Sequence, residues 1–172
     1  MATLEELEAQ VEELRSRLDA TESVHAIQNL KSRYASRVDA RFSRGRLVAP
    51  ERLAEVADEI AALFTEDGVW DAGPALGIAT GRGEIAARMR EPTLVFSWHY
   101  FLKPDIRVDG DRARARWDIL SPCTTQDGTP HWMTGFEEDE YRRVDGEWLH
   151  ARMKLTSVFM APHRTGWEKI WF

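Results

Sequence analysis

The chain has 172 residues, and 29 acidic against 23 basic side chains leave it with a net charge of −6. That length suits one domain, residues 1–172, with a sizeable core, and the acidic balance argues against nucleic acid as a partner, because phosphate binding needs a basic face. No apolar run approaches the roughly 20 residues that span a bilayer, and a single cysteine, Cys123, excludes an internal disulfide and fits a reducing cytoplasm.

The opening segment, MATLEELEAQVEELRSRL, is acidic and helical in pattern, unlike a secretory signal or a transit peptide. Leu4, Leu7, Val11, Leu14 and Leu18 recur at alternating steps of three and four, a short heptad stripe that predicts a helix over 1–20. Two and a half heptads are too few for an independent coiled coil, so this helix is expected to dock on its own domain or on a neighbouring subunit. Thr21 or Ser23 is the expected cap of a second helix carrying Val24, Ile27, Leu30, Tyr34 and Val38 on one stripe. Pro50 suits the first turn of a third helix, PERLAEVADEIAALF. A short strand in EDGVWDAG and a short helix in GRGEIAARMR follow.

From about Thr93 the pattern turns to period two. Ala113, Ala115, Trp117 and Ile119 alternate with Arg112, Arg114, Arg116 and Asp118, one face buried and one wet. Asp-Gly pairs at 109–110, 127–128 and 145–146 mark hairpin turns between extended runs. Helices first and a meander of four long strands after them predict an α+β domain in which a curved sheet wraps around helices. Trp132 and Phe136 are expected in the core, or alternatively lining a pocket, and Trp98 and Tyr100 on the strand face opposite His99.

The histidines at 25, 99, 131, 150 and 163 form no close pair and no HExxH spacing, so no metal site is read from the motifs. No phosphate-binding glycine loop and no G-x-S-x-G elbow is present. Acid–base chemistry is what remains. His99, among the aromatics of SWHYFLKP, is either a hydrogen-bonded core residue or a proton carrier. Asp39, between Val38 and Ala40, either pairs with Arg37 or Arg41 at the surface or is buried against a partner. Tyr34 and Asp39 are about 500° apart on a regular helix and do not share a face unless its end unwinds.

The order of IQNLKSRYASRVDA, LFTEDGVWD, GRGEIA, WHY and GFEEDEYRRVDGEW resembles the SnoaL-like branch of the nuclear transport factor 2-like superfamily from about Val24 to Met153. Within it, the scytalone dehydratase, bile acid 7α-dehydratase and hexachlorocyclohexane dehydrochlorinase group is most similar. The resemblance implies a cone-shaped α+β barrel, with N-terminal helices packed into a curved, mixed, mainly antiparallel sheet around an apolar pocket. It also implies an Asp39–His99 dyad assisted by Tyr34, and Trp70 as a pocket wall. Phe101, Trp117 and Met153 are further expected lining residues, with His131 a stand-in for a second pocket histidine. Met153 occupies the position where the dehydrochlorinase has an arginine, and Arg152 and Lys154 are expected on the opposite face.

What the resemblance implies is a cofactor-independent lyase, a dehydratase acting on an apolar ring compound such as a steroid, polyketide or aromatic catabolite. It implies no nucleic-acid or membrane partner, and a homo-oligomer, most simply a trimer, in the cytoplasm. An isomerase or cyclase using the same dyad, a non-catalytic small subunit of a ring-hydroxylating dioxygenase, or a ligand-binding module are the alternatives. The aromatic tail at 166–172 is expected to cover the pocket mouth or a subunit interface through Trp167, Ile170, Trp171 and Phe172.

Overall fold

The chain opens on one long helix. In the computed structural model, which describes residues 2–164, α1 runs unbroken over Leu4–Asp39, about 54 Å at 1.5 Å per residue. Thr3 starts it with a capping box: its hydroxyl accepts from the Glu6 N–H at 3.2 Å, and Glu6 accepts from the Thr3 N–H at 2.8 Å. The expected second start near residue 21 does not occur. Thr21 and Ser23 turn their hydroxyls back to the carbonyls of Arg17 (2.9 Å) and Asp19 (2.7 Å), a bond made inside a helix rather than at its cap. The heptad stripe therefore lies on a projecting arm. Leu4, Leu7, Val11, Leu14 and Leu18 are all exposed and do not dock on their own domain, while burial begins at Ser23 and takes in Ile27, Leu30, Lys31, Tyr34, Val38 and Asp39.

A small hairpin, β1 (Phe42–Ser43) and β2 (Arg46–Leu47), follows, turning through Arg44 and Gly45 with φ of 50° and 75°. Pro50 opens α2 (Pro50–Ala61) as the sequence predicts. Next come β3 (Phe64–Asp71), a short α3 (Gly73–Leu76), β4 (Ile78–Thr80) and α4 (Gly81–Arg90). The remaining strands are β5 (Phe96–Ser97), β6 (Tyr100–Asp109), β7 (Arg112–Thr124), β8 (Pro130–Val144) and β9 (Glu147–Pro162).

The main sheet has the order β4-β3-β9-β8-β7-β5, with β6 also paired to β7. All neighbours are antiparallel except β3 and β9, so the sheet is mixed. It is an open cone and not a closed barrel: β4 forms one edge, and β5 and β6 the other. Its curvature has a local cause. At Gly135 the β8–β9 register slips, and a Cβ there would lie 2.2 Å from the Thr156 carbonyl oxygen, so only glycine lets the strands approach. A second slip between Glu140 and Tyr141 leaves Ala151 unpaired on β9, which lets His150 and Met153 both face inward.

The inner face of β7 carries Ala113, Ala115, Trp117 and Ile119, as the alternation predicts; the first three pack with Ile27 and Leu30 of α1, and Ile119 with Cys123 and Met133. Tyr34, Val56, Ile60, Phe64, Ile85 and Met89 join α1, α2, α4 and β3 in a second cluster. Trp132 and Phe136, expected in the core, lie on the outer parity of β8. Trp132 donates to His163 Nδ1 at 2.9 Å, and the Arg116 guanidinium sits 3.6 Å over the Phe136 ring. Among the described residues no helix is long and apolar enough to cross a membrane. The expected cover from Trp167, Ile170, Trp171 and Phe172 lies outside the described residues.

Candidate active site

His99 sits in a gap between two strands. β5 and β6 pair with β7 in one continuing register, but Trp98 and His99 leave the ladder. The Trp98 N–H is taken up by the Pro122 carbonyl at 3.1 Å. The His99 N–H goes instead to a side chain, donating to Asp39 Oδ1 and Oδ2 at 3.1 and 3.3 Å. The imidazole Nδ1 lies 2.7 Å from the same Asp39 Oδ1. One carboxylate thus holds the main chain and the ring of His99 together.

Asp39 is the last residue of α1 and is buried. Helix-end carbonyls repel a carboxylate there, so its stabilisation comes from the two His99 donors. Neither arginine considered from sequence pairs with it: Arg37 bonds Glu59 at 3.1 Å, and Arg41 Nε donates to the Val38 carbonyl at 2.9 Å. The helix stays regular to its end, so Tyr34 and Asp39 do not share a face. The imidazole bridges the difference, bonded to Asp39 and lining the same cavity as Tyr34.

That cavity is open at its mouth and encloses about 80 Å³. Apolar walls come from Val38, Phe42, Trp70, Met89, Ile119, Met133 and Met153, and polar groups from Tyr34, Arg41, Ser121, His99 and Glu137. Tyr34 OH accepts from the Trp70 indole N–H at 3.0 Å, which leaves its own proton free to donate. Burial, reinforced by the nearby Glu137 charge, pushes the Tyr34 phenol far above its ordinary range, so it is a neutral donor at any physiological pH.

Three expected lining residues stand elsewhere. Phe101 packs behind the wall, its ring stacked 6.3 Å from His99 and 4.1 Å from Lys31 Nζ. Trp117 is a core residue donating to Tyr141 OH at 3.0 Å. His131 sits near the β7–β8 turn with Nδ1 2.9 Å from the Thr129 carbonyl. Arg152 and Lys154 face outward, where Arg152 meets Asp71 at 3.1 Å. Trp98 and Tyr100 are exposed on the outer side. Burial pushes the Cys123 thiol up to about 11, which leaves it unreactive.

Three groups were missed in the sequence reading. Arg41 is a buried cation on the cavity wall, with Nη1 3.6 Å from Met89 Sδ and guanidinium donors to spare. Lys31, fully buried, bonds Glu137 and Asp139, the latter at 2.7 Å. Glu137 is the one of these two carboxyls that lines the cavity. A signal for the last two was present: Lys31 sits between Ile27 and Tyr34 on the apolar stripe of α1, and Glu137 and Asp139 share the inward parity of Tyr141. Among the described residues, no group of three or more His, Cys, Asp or Glu side chains could hold a metal ion.

The known proteins that resemble this chain share its architecture. Hexachlorocyclohexane dehydrochlorinase LinA-type3 from Novosphingobium barchaimii LL02 superposes with a TM-score of 0.69 at 20% identity, covering 91% of this chain and 97% of that one. A candidate scytalone dehydratase from Novosphingobium aromaticivorans gives 0.66 at 20% identity, over 83% and 89% of the two chains. ActVI-ORFA from Streptomyces coelicolor gives 0.60 at 20% identity, over 80% and 98%. At such identities the likeness speaks for the fold. No curated protein matches the sequence. The SnoaL-like domain profile matches residues 19–154, from the buried part of α1 to the inward turn of β9, and with that span and this cone the chain belongs to the SnoaL-like domain family.

Proposed function

We propose that the protein is a lyase, a dehydratase that removes water across a carbon–carbon bond of an apolar ring compound. The observation that carries this reading is the 2.7 Å contact between His99 Nδ1 and Asp39 at the edge of an apolar cavity. With Asp39 accepting at Nδ1, Nε2 is the unprotonated nitrogen. Nε2 takes a proton from carbon, the C–H electrons form the new double bond, and the C–O bond breaks as the imidazolium Nε2–H gives that proton to the departing hydroxyl, which leaves as water. Asp39 stabilises the imidazolium that forms. Tyr34 donates a hydrogen bond to oxygen where negative charge develops. Arg41, reaching the cavity from the segment after α1, supplies the positive charge that Met153 does not. The dehydratase and dehydrochlorinase names among structural relatives support elimination chemistry in general terms.

The proposal includes assembly of identical chains, three copies being the number the family resemblance implies, and is supported by the exposed leucine stripe of α1. A lone, buried Cys123 supports a reducing, cytoplasmic setting.

The test is a screen of hydroxylated mono- and bicyclic compounds for a new conjugated double bond, followed by ultraviolet absorbance, on the wild type and on Asp39→Asn and His99→Gln. Dehydration by the wild type, lost in both variants while the fold is kept, is the expected result. Turnover unaffected by His99→Gln would remove the dyad from the mechanism.

A further inference from the structure

We propose that Glu137 presents a neutral carboxyl to the cavity and donates a hydrogen bond to a carbonyl oxygen of the bound ring compound. The ligand class is thereby an apolar ring ketone or similar carbonyl compound. This rests on the reading of the cavity as a substrate site.

The argument begins with a charge count. Lys31, 1% exposed, bonds both Glu137 and Asp139, so one ammonium faces two carboxyls that are both buried. Two anions against one cation leave an uncompensated buried charge, and a proton on one carboxyl removes it. Asp139 is the better anion of the two, because its Oδ2 accepts from Tyr141 OH at 2.7 Å as well as from Lys31. Glu137 has Lys31 as its hydrogen-bond donor and retains 6% of its side-chain surface where it lines the cavity. The proton therefore belongs on Glu137, the carboxyl of the two that lines the cavity. Burial, together with the Asp139 charge and against the pull of Lys31, raises the Glu137 carboxyl to about 7.

The other titratable groups around it are accounted for. From α1 come Lys31, held protonated because its two carboxyl partners outweigh its burial, and Tyr34, held neutral chiefly by burial. From β8 come Asp139 and Tyr141, the latter neutral through burial and the Asp139 charge. From β9 comes His150, neutral through burial and then the Lys31 charge. Elsewhere the cavity is lined by the charged or titratable groups Arg41, Asp71, Arg88 and His99 and by the hydroxyls of Thr93, Ser97 and Ser121.

A neutral carboxyl donates to a carbonyl, whereas a carboxylate repels it. The probes are 1-indanone and indane, binding to the full chain followed by tryptophan fluorescence between pH 5.5 and 8.5. Indanone affinity in the wild type is expected to fall about tenfold per pH unit above the Glu137 titration, with indane unchanged. Glu137→Gln, whose amide still donates, should keep indanone affinity and lose the pH dependence. A flat wild-type profile, or the same dependence in Glu137→Gln, overturns the proposal, the latter outcome moving the proton to Asp139 or elsewhere. If neither probe binds the wild type, the cavity is not a site for apolar rings and the proposal falls with it. If Glu137→Gln does not fold, carbon-13 NMR of glutamate side chains in the wild type decides: a carboxyl titrating near 7 supports it, and all titrating in the ordinary range overturn it. Turnover insensitive to His99→Gln beside a Glu137-dependent binding profile would sink the dyad and spare Glu137.

Discussion

Asp39 accepts twice from His99, once from its main-chain N–H and once at ring Nδ1. The side chain that orients the imidazole is also the one that replaces a missing rung of the β6–β7 ladder. Asp39→Asn and Asp39→Ala should therefore behave differently. The amide still accepts from the main chain but does not stabilise an imidazolium, so turnover should drop by about 10²–10⁴-fold with little change in melting. Alanine in addition strands the His99 N–H, at a further cost of about 1–3 kcal/mol in stability. Steady-state rates beside thermal melts of both variants check this.

Tyr34→Phe removes the free donor at the cavity and also the acceptor for the Trp70 indole. The expected result is a slower reaction and a stability loss of about 1–3 kcal/mol. Tyr34→Phe/Trp70→Phe should recover most of the stability and none of the rate. If the double variant also recovered rate, the hydroxyl would be structural only.

Glu137 titrates higher in the folded chain, about 7, than a free carboxyl, 4.5. A raised carboxyl binds its proton more tightly when folded, so its contribution is fully present below about 4.5 and is lost as pH rises toward 7 and beyond. The amount is roughly 3 kcal/mol. His150, buried neutral, works the other way by losing stability as pH falls below its ordinary 6.5. The quantity to measure is thus the difference between wild type and Glu137→Gln in urea melts at pH 5 and pH 7.5. The wild type should lose ground to the variant at the higher pH.

Gly135→Ala puts a methyl 2.2 Å from the Thr156 carbonyl oxygen, where backbone rather than a flexible side chain must move. The expected destabilisation is about 3 kcal/mol or more, seen as a lower denaturation midpoint. Gly45→Ala meets nothing within 4 Å, so its smaller cost measures positive-φ strain alone and serves as the comparison.

Much of this could be read in the sequence because it depends on short-range periodicity. The strand alternation at 112–119, the proline start of α2 and the Asp-Gly hairpin at 145–146 are local, and each appears where its pattern points. The break expected at Thr21 failed because a hydroxyl that can cap a helix can equally bond inside one, and nothing nearby decides between them. Trp132 and Phe136 were misplaced because hydrophobicity was weighed without strand parity, which Tyr141 and Met133 fix once the sheet exists. At the site, family order brought Asp39, His99, Tyr34 and Trp70 into view. Lys31 and Glu137 escaped because charged residues are read as surface until a partner far along the chain is known, and Glu137 lies 106 positions from Lys31; Arg41 was weighed only as a surface partner for Asp39.

Because α1 has no joint, the projecting stripe and the residues of the cavity are in fixed phase. Lys31, Tyr34 and Asp39 ride on the same rod as Leu7 and Leu14. A single residue inserted in the arm between Leu14 and Leu18 leaves the Asp19–Arg143 contact in place, yet it turns the leucines before it by about 100° and moves them about 1.5 Å relative to Asp39. A second copy packed on the leucines, as proposed above, would then meet the cavity mouth from another bearing, which ties the spacing of an exposed stretch to the geometry of the site.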